Sequence, residues 1–193
     1  MLKKIRIFPI TSYSADGYPV YGTPIPLLTI EEGETEVNNI RFKLTPSTKV
    51  KTLNADDREE THTAVVGYTF ELEAYGIDAT ALAAITSGTK DTNGNINHTV
   101  NTGIEKYVGI FFEGKNEKGS RFQQWLYKCK FDPVNDENTT ESDTATSITL
   151  TGSGSVINAG GKDRTHATVY EGNTGWVNGE PSANNIYKEP TGA

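Results

Sequence analysis

The chain has 193 residues, enough for one domain with a sizeable core, or one domain plus a tail. Hydrophobic residues make up 35% and the mean hydropathy is −0.51, so much of the chain is expected at the surface, in loops or in subunit contacts. The net charge of −7 argues against a phosphate-gripping protein, because Lys and Arg supply that affinity, and a single cysteine, Cys129, excludes an internal disulfide and fits a reducing compartment.

The opening "MLKKIRIFPI" has too short an apolar run for a signal peptide, broken by Arg6 and Pro9. No stretch approaches the ~20 apolar residues of a membrane helix. "IPLLTIEEGETEV" reads as a strand followed by the acidic residues Glu31, Glu32 and Glu34. Residues 38–63 then lack clean patterning and are interrupted by Pro46, which predicts a long inter-strand loop. Its end, "LNADDREE", is the most charged run in the chain.

The strongest pattern lies in residues 64–77, "AVVGYTFELEAYGI". Val66, Tyr68, Phe70, Leu72 and Ala74 alternate with Thr69, Glu71 and Glu73, which predicts a strand with one buried and one wet face. Asp78 and the stripe Ala81, Leu82, Ala84 and Ile85, followed by Gly88, predict one short helix over 78–87. Asn93-Gly94 predicts a turn in a small hairpin or loop. "EKYVGIFFEG" and "SRFQQWLYKCKF", joined by "KNEKG", read as a long hairpin with Trp125, Tyr127, Cys129 and Phe131 on one face. "VNDENTTESDTA" is an acidic connection. "TSITLTGSGSVI" is a strand whose Gly152 and Gly154 mark a bulge or a close approach. The Gly- and Asn-rich end holds one strand near 167–170 and then an extended arm. Together these predict a mainly β protein. Two packed antiparallel sheets, as a sandwich or partly open barrel, are flanked by one short helix, with a long inter-strand loop and terminal arms.

Signals for chemistry are weak. His62, His98 and His166 are scattered. "DTNGNINHTVNT" places Ile96 and Thr102 where a calcium loop needs Gly and Glu. "TGSGSV" lacks the spacing of G-x-S-x-G, and no helix pattern or lysine follows to make a phosphate loop. Cys129 reads as a small buried hydrophobe. Asp56, Asp57, Glu59 and Glu60 would suit a hydrolase pair only if two of them faced one substrate. Trp125, Tyr127, Phe111 and Phe112 would suit a sugar platform, although strand spacing favours the core, as for Tyr68 and Phe70.

The order of "YGTPIPL", "LNADDREET", "YTFELEAYGID" running into "ATALAAI", "KYVGIFFE", "RFQQWLYKCKF" and "SITLTGSGSVI" resembles the major tail proteins, or tail tube proteins, of long non-contractile-tailed phages of Gram-positive bacteria. The resemblance spans residues 21–157. It implies a tail-tube β-domain over 1–157 and a C-terminal strand and arm over 158–193. It implies hexameric rings stacked into a hollow tube in the virion tail, assembled in the host cytoplasm.

The expected partners are other copies of the chain, a tape-measure protein in the lumen, and tail terminator and baseplate or distal tail proteins. DNA would pass through without specific binding. No membrane, cofactor, metal or catalysis is implied. Acidic residues suit a channel that must release a polyanion, so Glu71 and Glu73, then Glu31, Glu32 and Glu34, are the candidates to face the lumen. Lys49, Lys51, Asp56, Asp57, Arg58, Glu59 and Glu60 are the candidates for contacts between rings. The alternative from the residues alone is a β-sandwich carbohydrate-binding or adhesin module.

Overall fold

A computed structural model describes residues 2–29, 41–55, 58–75, 83, 85, 88–93, 95–98, 106–132 and 147–188. The strands are β1 (Leu2–Tyr13), β2 (Pro19–Tyr21), β3 (Ile25–Thr29), β4 (Arg41–Ala55), β5 (Arg58–Tyr75), β6 (Gly88–Lys90), β7 (Ile96–His98), β8 (Val108–Lys115), β9 (Arg121–Phe131), β10 (Ser147–Ser155), β11 (Ile157–Ala159), β12 (Lys162–Arg164) and β13 (His166–Tyr170). Nine of them form one antiparallel sheet in the order β2-β1-β8-β9-β10-β5-β4, with β3 also on β1 and β13 also on β9. The sheet is not closed into a barrel. Two small hairpins, β6–β7 and β11–β12, stand apart from it.

β9 is where the sheet divides. Its first half pairs with β13 and its last residues, Cys129 to Phe131, pair with β10. The β10-β5-β4 wing therefore folds back over β1, β8 and β9. Ile5 and Ile7 of β1 lie in one buried cluster with Tyr68, Phe70 and Leu72 of β5, although four pairings separate these strands along the sheet. Strands in a flat sheet would be about 19 Å apart at that separation, at ~4.8 Å per neighbour. Folding the sheet makes the sandwich. A second cluster, with Phe8, Phe111, Trp125 and Tyr127, covers the opposite face of β1, β8 and β9. These central strands are thus buried on both faces, and seven consecutive residues of β8 are buried.

Trp125, Tyr127, Cys129 and Phe131 do not share one face. Trp125 and Tyr127 belong to the second cluster, and Cys129 and Phe131 to the first. Val108 pairs with Cys129 but Ile110 pairs with Leu126, so β9 carries one extra residue there. A bulge of this kind reverses the in–out alternation beyond it.

The long irregular loop expected over 38–63 is a hairpin wherever it is described. β4 and β5 pair in register from Arg41–Glu73 to Ala55–Arg58. Pro46 is tolerated because β4 is an edge strand. A second bulge explains the ragged pattern: Ser47 faces Gly67 and Thr48 faces Val65, leaving Val66 as the extra residue. Val66, expected inside, is therefore 48% exposed.

Of the expected helix at 78–87, Ala83 and Ile85 are described; both are helical and buried, and Ile85 joins the first cluster. The other positions lie outside the described residues. Residues 2–13 form the strand β1 within the sheet, and residues 171–188 fold back onto the second cluster through Val177, Ala183, Ile186 and Tyr187.

Candidate assembly surfaces

Beyond Gly67 no third strand pairs with the β4–β5 hairpin among the described residues. β10 pairs with β5 from Tyr75 only to Gly67. The remaining arms, Thr48 to Ala55 and Arg58 to Val65, pair with each other alone. Eight residues per arm make an extension about 26 Å long, at ~3.3 Å per residue. None of its residues with described side chains, Thr48 to Val50 and Thr63 to Val65, belongs to either buried cluster. Val50 and Val65 are 57% and 55% exposed. A bare two-stranded hairpin is marginal in water, and apolar exposure of this kind points to a covering surface.

Lys49 is exposed on this extension opposite Ala64, and Lys51 pairs with His62. Leu53 faces Glu60, Asn54 faces Glu59 and Ala55 faces Arg58 at the far end. Asp56 and Asp57 lie outside the described residues, as do Glu31, Glu32 and Glu34. The sequence alone missed the continuous pairing of β4 with β5, because one bulge residue and a proline break its period.

Glu71 and Glu73 lie on the wet face of β5, with Tyr68, Phe70 and Leu72 buried on the other. Their neighbours across the strands change the electrostatics. Lys43 and Thr151 flank Glu71, and Arg41 and Thr149 flank Glu73. The next row is Thr45, Thr69 and Ser153. This three-strand face is balanced in charge and rich in hydroxyls, not acidic. Opposite charges directly across a sheet stabilise the pairing by about 0.2–1 kcal/mol.

Residues 171–188 form a strap with no strand or helix. Side chains of β1 and β9 hold it. The Gln123 Nε2 donates to the Val177 carbonyl at 2.8 Å and its Oε1 accepts from the Val177 N–H at 3.0 Å. Gln123 also donates to the buried Glu113, which pairs with Arg121. Arg121 in turn reaches Glu171 at 2.7 Å and lies over the Trp176 ring. The Tyr127 hydroxyl donates to the Tyr187 carbonyl at 3.0 Å. Arg6 grips Glu180 through Nε and a terminal nitrogen at 3.1 and 3.0 Å, and Lys4 adds a contact at 3.0 Å.

Partial burial raises the Glu180 pKa, but the hydrogen bonds from Arg6 and Lys4 outweigh it and hold the carboxyl below its ordinary 4.5. A folded-state pKa below the unfolded one gives stability present above the unfolded value and lost as pH falls through the folded value. Strap amides are therefore expected to lose hydrogen-exchange protection as pH drops below about 4.5, with Glu180→Gln removing that dependence. The change should be small, because Glu180 is largely exposed. An unchanged pH profile in Glu180→Gln would count against this latch.

Among the described residues no group of three or more His, Cys, Asp or Glu is placed to hold a metal ion. Asp91 accepts from the backbone of Asn93 and Asn95, which makes a polar turn between β6 and β7. Cys129 is fully buried, and burial pushes its thiol up to about 12 against the opposing hydrogen bond from Tyr68. Tyr68, Phe70, Trp125 and Tyr127 are all buried, and so are Phe111 and Phe112, so none of these rings offers a platform to a sugar. No described helix is long and apolar enough to cross a membrane.

No protein-family model matches the chain, and no curated protein matches it.

Proposed function

We propose that this chain is a structural virion subunit that polymerises as stacked rings into a phage tail tube. The observation that carries the reading is the β4–β5 extension. It leaves the sheet as a two-stranded arm with Val50, Val65 and Val66 exposed, and such an arm gains its stability by lying against another surface. In an assembling protein that surface belongs to a second copy. The edge of β4, which among the described residues pairs with β5 alone, is a further place for a neighbour to add a strand. The rings carry no catalysis and no cofactor in this reading. Tape-measure, terminator and distal tail proteins are its further partners, and the virion tail is its location.

Negative-stain microscopy of the purified protein tests it. Rings or tubes with a central hole are expected. A protein that stays monomeric at high concentration sinks the reading. The carbohydrate-binding alternative loses its support from the buried aromatics.

The outer face of β10-β5-β4 is the candidate wall of the channel. Its pairing of Glu71 with Lys43 and Glu73 with Arg41 gives a surface that neither grips nor strongly repels a sliding polyanion. Glu71→Lys with Glu73→Lys places like charges across the strands, at a cost of about 0.2–1 kcal/mol per pair. Rings are still expected, with DNA delivery impaired. Normal infectivity of a phage carrying both changes removes these residues from the channel.

A further inference from the structure

We infer that Asn178-Gly179 in the C-terminal strap is a self-modification site, where the Asn178 carboxamide deamidates through a cyclic imide and the resulting isoaspartate loosens the Glu180 clamp. This chemistry needs no second copy and is independent of the assembly reading above.

Asparagine is among the thermolabile residues. It deamidates when its carboxamide carbon is reached by the backbone nitrogen of the next residue, and a glycine there brings no Cβ to crowd the approach. The chain joins Asn or Asp to Gly at Asp16-Gly17, Asn93-Gly94 and Asn178-Gly179. The Gly17 N–H is occupied, since it donates to the Ser14 carbonyl at 2.9 Å, and a Cβ on Gly17 would strike the Asn158 carbonyl. Gly94 lies outside the described residues. Asn178 and Gly179 are exposed, and nothing lies within 4 Å of where a Cβ on Gly179 would stand. Among the described residues, neither the Asn178 carboxamide nor the Gly179 N–H has a hydrogen-bond partner. Other carboxamides are held. Asn116 accepts from the amides of Lys118 and Ser120, Asn158 donates to Asp163, and Asn185 accepts from the Ser182 amide. Gly179 takes a φ of 86°, which side chains rarely adopt, so the bend of the strap itself demands the glycine that makes Asn178 labile.

Water is the only co-reactant. The Gly179 nitrogen gives its proton to solvent and attacks Cγ of Asn178. A C–N bond forms, the Cγ–Nδ2 bond breaks, and ammonia leaves after taking a proton from solvent. Water then opens the five-membered imide at one of its two carbonyls. Opening at the β-carbonyl gives aspartate. Opening at the α-carbonyl gives isoaspartate, whose backbone runs through the former side chain.

Isoaspartate inserts one extra backbone bond of about 1.5 Å between Val177 and Gly179. That link lies between two clamps on different strands. Val177 is fixed to Gln123 of β9 through its N–H and its carbonyl, at 3.0 and 2.8 Å, and Gln123 is fully buried. On the other side, the Gly179 carbonyl accepts from Lys4 at 3.2 Å and Glu180 is gripped by Arg6, both on β1. A lengthened link cannot keep both clamps in register. The two are unequal. Releasing Val177 would leave the Gln123 Oε1 buried without its donor, which is costly. The Glu180 side chain is 61% exposed, and ion pairs of that kind hold weakly. Glu180 therefore lets go first. The strap is closed on a fresh chain and opens beyond Asn178 on an aged one, with Val177 still docked.

The purified full chain is aged in mildly alkaline buffer and read by peptide mapping, with enzymatic methylation as the probe for isoaspartate. Asn178 is expected to convert to isoaspartate and aspartate, faster as pH rises, while Asn173, Asn184 and Asn185 stay intact. The converted chain carries one more negative charge and separates by ion exchange. Its strap amides beyond Gly179 are expected to lose hydrogen-exchange protection to the level of Glu180→Gln, while the Val177 amide keeps its protection. Asn178→Gln, whose longer side chain closes the ring poorly, is expected to abolish both changes. Fresh Asn178→Asp, which has the charge without the extra bond, is expected to keep its strap protected. An Asn178 that outlasts Asn173 or Asn184 overturns the inference, as does a converted chain whose strap is as protected as the fresh one. A fresh Asn178→Asp chain with an unprotected strap also overturns it, because charge alone would then open the clamp.

Discussion

Replacing residues 48–65 by an Asn-Gly turn between Ser47 and Val66 is expected to leave a folded, soluble chain that no longer polymerises. The cut removes the two arms that pair only with each other. It spares every residue of both buried clusters, including Phe42 and Leu44, which pack against the first. It also spares the three-strand region where β5 sits between β4 and β10. What is lost is the exposed apolar stretch of Val50 and Val65. Ordering such an arm costs about 1–2 kcal/mol of backbone entropy per residue, which its own hairpin bonds scarcely offset. The full-length arm is thus expected to be steadied by its neighbour, and the shortened chain to melt within a few degrees of the intact monomer. Sedimentation velocity and microscopy read the assembly, and calorimetry reads the fold. Tubes formed by the shortened chain at wild-type concentrations refute the assembly role of the extension.

Gly154→Val is expected to destabilise the fold by about 3 kcal/mol, at the upper end of overpacking costs. A Cβ at this position runs into the Tyr68 ring. That ring cannot retreat freely, since it is buried and its hydroxyl contacts the Cys129 sulfur at 3.4 Å. Gly152 stands in the same relation to the Phe70 ring and the Lys130 carbonyl. The two glycines let two aromatic rings of β5 lie across the backbone of β10, because Gly152 faces Phe70 and Gly154 faces Tyr68 in register. Gly22→Ala is the control. Its Cβ would meet Thr11 at an ordinary 3.4 Å, and the change is expected to stay within about 0.5 kcal/mol. Urea unfolding measures both variants. A Gly154→Val chain as stable as the Gly22→Ala control contradicts the close-approach account.

Both effects trace back to features that were half-visible in the sequence. The glycines of "TGSGSV" announced either a bulge or a close approach, and the register decides for the approach, since β10 pairs with β5 without a shift. The charged run "LNADDREE" announced an exposed segment but not its shape. A proline on an edge strand and one extra residue at Val66 disguised β4 and the first six residues of β5 as a loop. The same kind of shift hid the split of Trp125 and Tyr127 from Cys129 and Phe131. Period-two reading assumes an unbroken pleat, and each bulge inverts it.

The sequence by itself determined the mainly β class, the strand from Tyr68 to Leu72, the β8–β9 hairpin and the wet face that carries Glu71 and Glu73. Those depend on local alternation and turn residues, which a short window contains. Tertiary structure alone decided the rest. That Lys43 and Arg41 face Glu71 and Glu73, and that Glu180 closes on Arg6 from 174 residues away, are facts of register and strand order. Such pairings join residues far apart in the chain, and no local pattern encodes which strand lies beside which.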